Sequence, residues 1–127
     1  MDFGTGTVFD AVSADAEYVG GAIAPGIAVA ADALFHSSSQ LRRVELERPD
    51  SAIGKNTVHA MQSGLVLGYA ELVKGMVARF DRELGGGCKV VATGGLARLI
   101  EAEADVFDEV NEDLTLAGLR IIYELNS

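Results

Sequence analysis

Apolar and polar positions divide the chain into strand-like runs near its amino end and helical stripes after them. Thr7 to Val12 sets Val8, Phe9, Ala11 and Val12 in a run with strand character. Ser13 to Glu17 is short and polar and predicts a hairpin turn, with Tyr18 to Ala24 as the return strand. Gly20 and Gly21 weaken that strand. They read either as plain turn chemistry or as close approach by another backbone or a ligand. Pro25-Gly26 breaks the chain. Ile27, Ala30, Ala31 and Leu34 then fall at helical spacing and predict a helix over 27–35.

Leu41 to Asp50 alternates in charge around Val44 and Leu46, and Pro49 excludes a regular helix there, so an edge segment or extended connection is expected. Asn56 is a good N-cap for the longest element, a helix over 57–84. Val58, Met61, Leu65, Leu72 and Val77 form one stripe, and Val66, Tyr69, Val73, Met76 and Phe80 widen it, which predicts burial on more than one side. Gly64 and Gly68 share a face and permit close helix contact, within the fold or across a dimer. Gly85, Gly86 and Gly87 end the helix. Lys89 to Ala92 reads as a short buried strand, Thr93-Gly94-Gly95 as a turn, and 96–102 as a helix. Val106 to Val110 is a brief strand or connection. Asp113 stands ready to cap a final helix carrying Leu114, Leu116, Leu119, Ile122 and Tyr123. The expected class is α/β, with a small mixed sheet packed with helices and no internal linker or repeat.

A length of 127 residues suits one domain with a real core, and 49% apolar residues with 23% charged residues is a globular composition. Apolar runs are interrupted before reaching membrane-spanning length, and no signal peptide is visible. The single cysteine, Cys88, points to a reducing, cytoplasmic setting. A net charge of −9 argues against nucleic-acid or anionic-membrane partners.

Candidate chemistry lies in the glycine turns. Asp2-Phe3-Gly4-Thr5-Gly6-Thr7 offers free N–H groups, a hydroxyl and a carboxylate. That set suits a phosphate with its accompanying cation, or simply a turn between strands. Thr93-Gly94-Gly95 stands between a strand and a helix, where open α/β sheets bind ligands and where a tight turn also needs glycine. His36 and His59 are far apart in sequence and make no zinc spacing, and Cys88 reads as an inert packed thiol. The acidic stretch Glu101 to Asp113 reads as a solvated face. Asp10 is either a second metal-facing carboxylate or a surface residue. Asp2-Phe3-Gly4 alone suggests a protein kinase, but no His-Arg-Asp loop or strand lysine accompanies it.

In order, the motifs are Asp2 to Thr7, Gly20 to Gly26, Ile53-Gly54-Lys55-Asn56-Thr57 with Gln62-Ser63-Gly64, Ala92 to Ala97, and Asp113 to Leu119. This series resembles the C-terminal half of type III pantothenate kinases over essentially the whole chain. The resemblance implies one half of an actin-like, ribonuclease-H-like ATPase fold, with residues 1–127 as a single half-domain. It implies ATP-dependent phosphorylation of pantothenate to 4'-phosphopantothenate, the first step towards coenzyme A. It implies Mg²⁺, a monovalent cation (K⁺ or NH₄⁺), and a homodimer or an assembly with the missing N-terminal half. By motif, Asp2 would hold the monovalent cation, Gly4 and Thr5 would contact ATP phosphate, Gly94 and Gly95 would lie near the nucleotide, and Thr57 would contact pantothenate.

The family's Asp-x-Gly-Asn-Thr and Gly-Ala-Asp-Arg motifs are absent from this sequence, and the resemblance puts the base for the substrate hydroxyl in the second of them. No catalytic residue is therefore expected in this chain, and alone it is expected to be inactive. The competing reading is a non-catalytic module that keeps the half-fold and binds a nucleotide or a partner.

Overall fold

The computed structural model describes residues 1–127. Strands β1 (Asp2–Phe3), β2 (Gly6–Val12) and β3 (Tyr18–Pro25) form an antiparallel meander in the order β1-β2-β3. The side-chain period of two puts Phe3, Thr7, Phe9 and Ala11 on one face, and all of these are buried. Asp2, Val8 and Asp10 lie on the other. The Ser13–Glu17 turn closes on itself: Ala16 N–H donates to the Ser13 carbonyl at 3.0 Å, and Glu17 N–H donates to Ser13 Oγ at 3.1 Å. Gly21 answers the question the sequence left open. A Cβ there would strike the carbonyl of Phe9, so the close approach is that of β2.

A second pair, β4 (Val91–Ala92) and β5 (Glu109–Val110), is parallel. It joins the meander through β1, with Asp2 bridging Thr93 in parallel sense. Thr93 N–H donates to the Met1 carbonyl at 2.9 Å, and Phe3 N–H to the Thr93 carbonyl at 2.9 Å. The spatial order is therefore β3-β2-β1-β4-β5, with only β2 running against the others. The regular strand is shorter than the expected 89–92, because the Val90 N–H is taken by the Asp108 carboxylate at 2.6 Å.

Helices α1 (Ile27–Ser37), α2 (Thr57–Gln62), α3 (Gly68–Glu83), α4 (Ala97–Ala104) and α5 (Leu114–Leu125) complete the chain. The helix expected over 57–84 runs from α2 into α3 through a π-helical turn, Ser63–Leu67. Asn56 caps it as predicted, accepting from His59 N–H at 2.9 Å. Two side chains at the π turn hold the charged connection against the helix: Gln62 Nε2 donates to the Glu45 carbonyl, and Ser63 Oγ to the Ala52 carbonyl. Gly64 and Gly68 face outward with open space beside them, so they make no close helix contact inside the fold. The wide stripe is real: Leu65, Val66, Ala70 and Val73 are buried against Phe3, Phe9, Ile27 and Ile100. Each fully buried side chain of this size contributes about 1.5–3 kcal/mol of apolar transfer.

The last helix departs most from expectation. Asp113 stands at its start but makes no side-chain cap; instead the Asp113 N–H donates to Asn111 Oδ1 at 3.1 Å. No residue of α5 is buried, and Leu116, Leu119, Ile122 and Leu125 are all more than half exposed. The acidic stretch before it is partly engaged, since Glu103 is largely buried beneath Arg48 at 2.6 Å and Arg98 reaches both Glu101 and Glu112. No helix is long and apolar enough to cross a membrane.

Candidate functional site

Because β1, β3, β4 and β5 run the same way, the turns that follow them emerge at one edge of the sheet. That edge carries Gly4-Thr5, Pro25-Gly26 and Gly94-Gly95. The turns are in mutual contact. Gly26 N–H donates to the Thr5 carbonyl at 3.0 Å, and a Cβ on Gly26 would collide with that same oxygen. A Cβ on Gly94 would lie 2.6 Å from Phe3 N and 2.7 Å from Asp2 Oδ1, and Gly94 has φ +99°. Glycine is required there on both counts. Gly4 N–H donates to the Gly6 carbonyl at 3.1 Å and closes the first turn.

The structure thus brings Asp2, Gly4 and Gly94 together, with Thr5 and Gly95 exposed beside them. Helices α1 and α4 start at this edge, behind Gly26 and Leu96, and neither start has a side-chain cap. The Ala97 N–H that opens α4 already donates to the Gly94 carbonyl at 3.2 Å, so the N–H groups open to an anion are those of the first turn of α1 and the ones after Ala97 in α4, and both helix dipoles favour an anion there. Asp2 supplies a carboxylate oxygen in the same neighbourhood, a hard donor suited to a hard cation. No group of three or more His, Cys, Asp and Glu side chains comes together in the chain.

Thr57 lies elsewhere. It is exposed at the start of α2 and lines a groove of about 500 Å³ with Leu34, Met61 and Gly64. Asp2 and Thr93 line a different cleft, of about 740 Å³, and the two share no residue. Asp10 opens on the larger cleft and accepts from Tyr18 Oη at 3.2 Å. Cys88 is half-buried there. Burial pushes its thiol up, and the Asp81 carboxylate, which accepts the Cys88 N–H at 2.8 Å, pushes it further.

Sequence reasoning did not single out Tyr69. Its hydroxyl donates to the Pro25 carbonyl at 2.7 Å and so ties α3 to the turn between β3 and α1. Burial pushes this phenol up, so it remains a donor at neutral pH. The signal was a hydroxyl-bearing aromatic on an otherwise apolar stripe.

Fold and edge together define a mixed α/β protein with its glycine turns gathered at the carboxyl ends of parallel strands, the place where such sheets bind ligands. Comparison with known proteins narrows this. The family profile for type III pantothenate kinase matches residues 1–79. The chain is 61% identical over 126 residues to the type III pantothenate kinase of Roseiflexus sp. (strain RS-1), covering 99% of this chain and 49% of that protein. It is 56% identical to that of Myxococcus xanthus, with 99% and 49% covered, and 55% identical to that of Moorella thermoacetica, with 100% and 50% covered. The chain belongs to the type III pantothenate kinase family, and it spans about half the length of the curated relatives it matches. Among solved structures, it is similar to a conserved Campylobacter jejuni protein described as a candidate Baf family transcriptional activator. The TM-score is 0.66 at 26% identity, over 98% of this chain and 56% of that one.

Proposed function

We propose that residues 1–127 form the C-terminal half-domain of a type III pantothenate kinase. In this reading the chain supplies the phosphate- and cation-facing side of a site that phosphorylates pantothenate to 4'-phosphopantothenate at the expense of ATP. The observation that carries it is the meeting of Asp2, Gly4 and Gly94 at one sheet edge beside uncapped helix starts. Strand order β3-β2-β1-β4-β5, with only β2 reversed, supports the ribonuclease-H-like half of an actin-like fold.

In this reading Thr5 and the N–H groups of Gly94 and Gly95 bind and orient the ATP phosphates, and Gly4, whose own N–H is held by Gly6, lets the phosphate approach the turn closely; this is a positioning role on which phosphoryl transfer chiefly depends. Asp2 holds the monovalent cation, K⁺ or NH₄⁺. Mg²⁺ arrives with the nucleotide and offsets phosphate charge. Thr57 contacts pantothenate. Its separation from Asp2 within this chain means that both grooves must be completed by an assembly, either a homodimer or the union with an N-terminal half that carries the base. The exposed apolar face of α5 supports such an assembly.

The test is reconstitution. The purified chain alone should form no ADP in response to pantothenate. Mixed with the separately expressed N-terminal half of the Roseiflexus relative, it should turn over, and Asp2→Asn should lower both the rate and its response to K⁺. Turnover by the chain alone would overturn the half-site reading. Failure of the mixture, with ATP binding retained, would make the chain a non-catalytic nucleotide-binding module.

A further inference from the structure

Tyr69 carries a polar group from the helical layer to the glycine edge of the sheet. Its ring packs against the hydrophobic core, which fixes where the hydroxyl stands. Oη donates to the Pro25 carbonyl at 2.7 Å, and the Gly26 carbonyl lies 3.4 Å away. The other end of the Pro25–Gly26 peptide is also taken, because the Gly26 N–H donates to the Thr5 carbonyl at 3.0 Å. This peptide is trans, so its C=O and N–H point opposite ways. One rigid group therefore spans from α3 to the Gly4-Thr5 turn. The contact leaves no slack: a Cβ on Gly26 would meet the carbonyls of both Gly4 and Thr5.

The π turn aims this side chain. Buried positions are Met61 and Leu65 up to the turn, and Val66, Ala70 and Val73 from it onward. The stripe steps by one residue there. Each helical residue turns about 100° round the axis, so one extra residue swings all that follow by about a quarter-turn. That step sets Ala70 and Val73 in the core, with half-buried Tyr69 at its rim. Such π turns are frequent at functional sites. The same peptide also holds the start of α1, since Gly26 is its N-cap and no side chain caps it. The exposed Thr5 and the first N–H groups of α1 thus take their relative placement from the Pro25–Gly26 peptide.

We propose that Tyr69 is a positioning residue for the phosphates of the nucleotide: its hydroxyl locks the Pro25–Gly26 peptide, and through it the Thr5 turn and the start of α1, in the arrangement that receives them. It acts through the backbone and not on the reacting atoms. Without the hydroxyl the Pro25 carbonyl loses its donor, and the peptide is free to rotate away from Thr5. The two hydrogen bonds on this peptide also polarise it in the same sense, so losing one weakens the other. The inference deepens the kinase reading and rests on it for the identity of the phosphate donor.

Tyr69→Phe keeps the ring in the core and removes only the hydroxyl. In the ligand-free 127-residue chain, the Gly26 N–H should exchange about fivefold faster in the variant. The Ala60 N–H, which donates to the Asn56 carbonyl beside the other groove, should exchange as in the parent. Equilibrium dialysis of the same chains against ATP with Mg²⁺ should show an affinity about five- to tenfold lower in the variant. In the reconstituted mixture the KM for ATP should rise by a similar factor and that for pantothenate should not, a split that general loss of stability does not produce. Unchanged exchange at Gly26, equal acceleration at Gly26 and Ala60, equal ATP affinity, or no ATP binding by the parent would each overturn the proposal. A parent mixture that binds ATP without turning over would sink the catalytic reading alone, because exchange and ATP affinity still decide the role of Tyr69.

Discussion

Gly94 and Asp2 occupy each other's space: the position a Cβ would take on Gly94 lies 2.7 Å from Asp2 Oδ1, at a backbone φ of +99°. The β4–α4 turn therefore rests against the carboxylate at the end of β1, and anything that moves one moves the other.

Gly94→Ala should destabilise the chain by about 1–3 kcal/mol, through the left-handed backbone and the collision with Phe3 and Asp2. Gly95→Ala, with open space at its Cβ, should stay within about 0.5 kcal/mol of the parent. Urea melts of the two variants check this. Equal stabilities would mean that the turn does not bear on β1.

A second glycine contrast separates close approach from helix economy. Gly68→Ala fills open space in a helix and should raise stability by about 0.5–1 kcal/mol. Gly21→Ala strikes the Phe9 carbonyl and should lower it by about 1–3 kcal/mol. Thermal denaturation of both variants reads the sign directly. A loss at Gly68 would instead show that its open face is covered in solution.

The Met1 ammonium has its pKa lowered from the ordinary 8.0 by burial, against the pull of Asp10 and Asp2. A depressed folded-state pKa means that the unfolded chain binds more protons between that value and 8.0. Stability from this group is therefore complete above pH 8 and is lost as pH falls through the folded-state value. Melting temperature should rise towards pH 8 in the unmodified chain, and the rise should shrink when the amine is acetylated. Identical profiles would remove the ammonium from the account.

Cys88 should alkylate slowly at neutral pH, because burial and then the Asp81 carboxylate hold its thiol protonated. Asp81→Asn keeps an oxygen for the Cys88 N–H and removes the charge, so iodoacetamide should react faster with the variant. An unchanged rate would leave burial as the whole cause.

Local patterning made most elements legible. The apolar run from Thr7 to Val12 marked a strand, though not which of its faces is buried, Asn56 marked a helix start, and the stripe through Leu65 and Val73 marked a helix covered on more than one side. The π turn at Ser63–Leu67 was not legible, because the hydrogen bonds that accompany it reach Glu45 and Ala52, outside any window that periodicity can read. Asp113 was legible as a helix start but not as a failed cap: its carboxylate accepts from no helix N–H, and residue type alone does not show that.

For the site, the sequence determined the chemistry on offer: a carboxylate, two hydroxyls and glycine turns, in an order that resembles one family. It did not determine which of them meet. Strand direction decided that. Parallel β1 and β4 deliver Asp2 and Gly94 to the same edge from 92 positions apart, while Thr57 lines a groove that shares no residue with the cleft beside Asp2. Residue type and spacing are local properties of a chain, whereas the coincidence of two turns depends on how strands pair across the whole sheet, and only the folded backbone contains that.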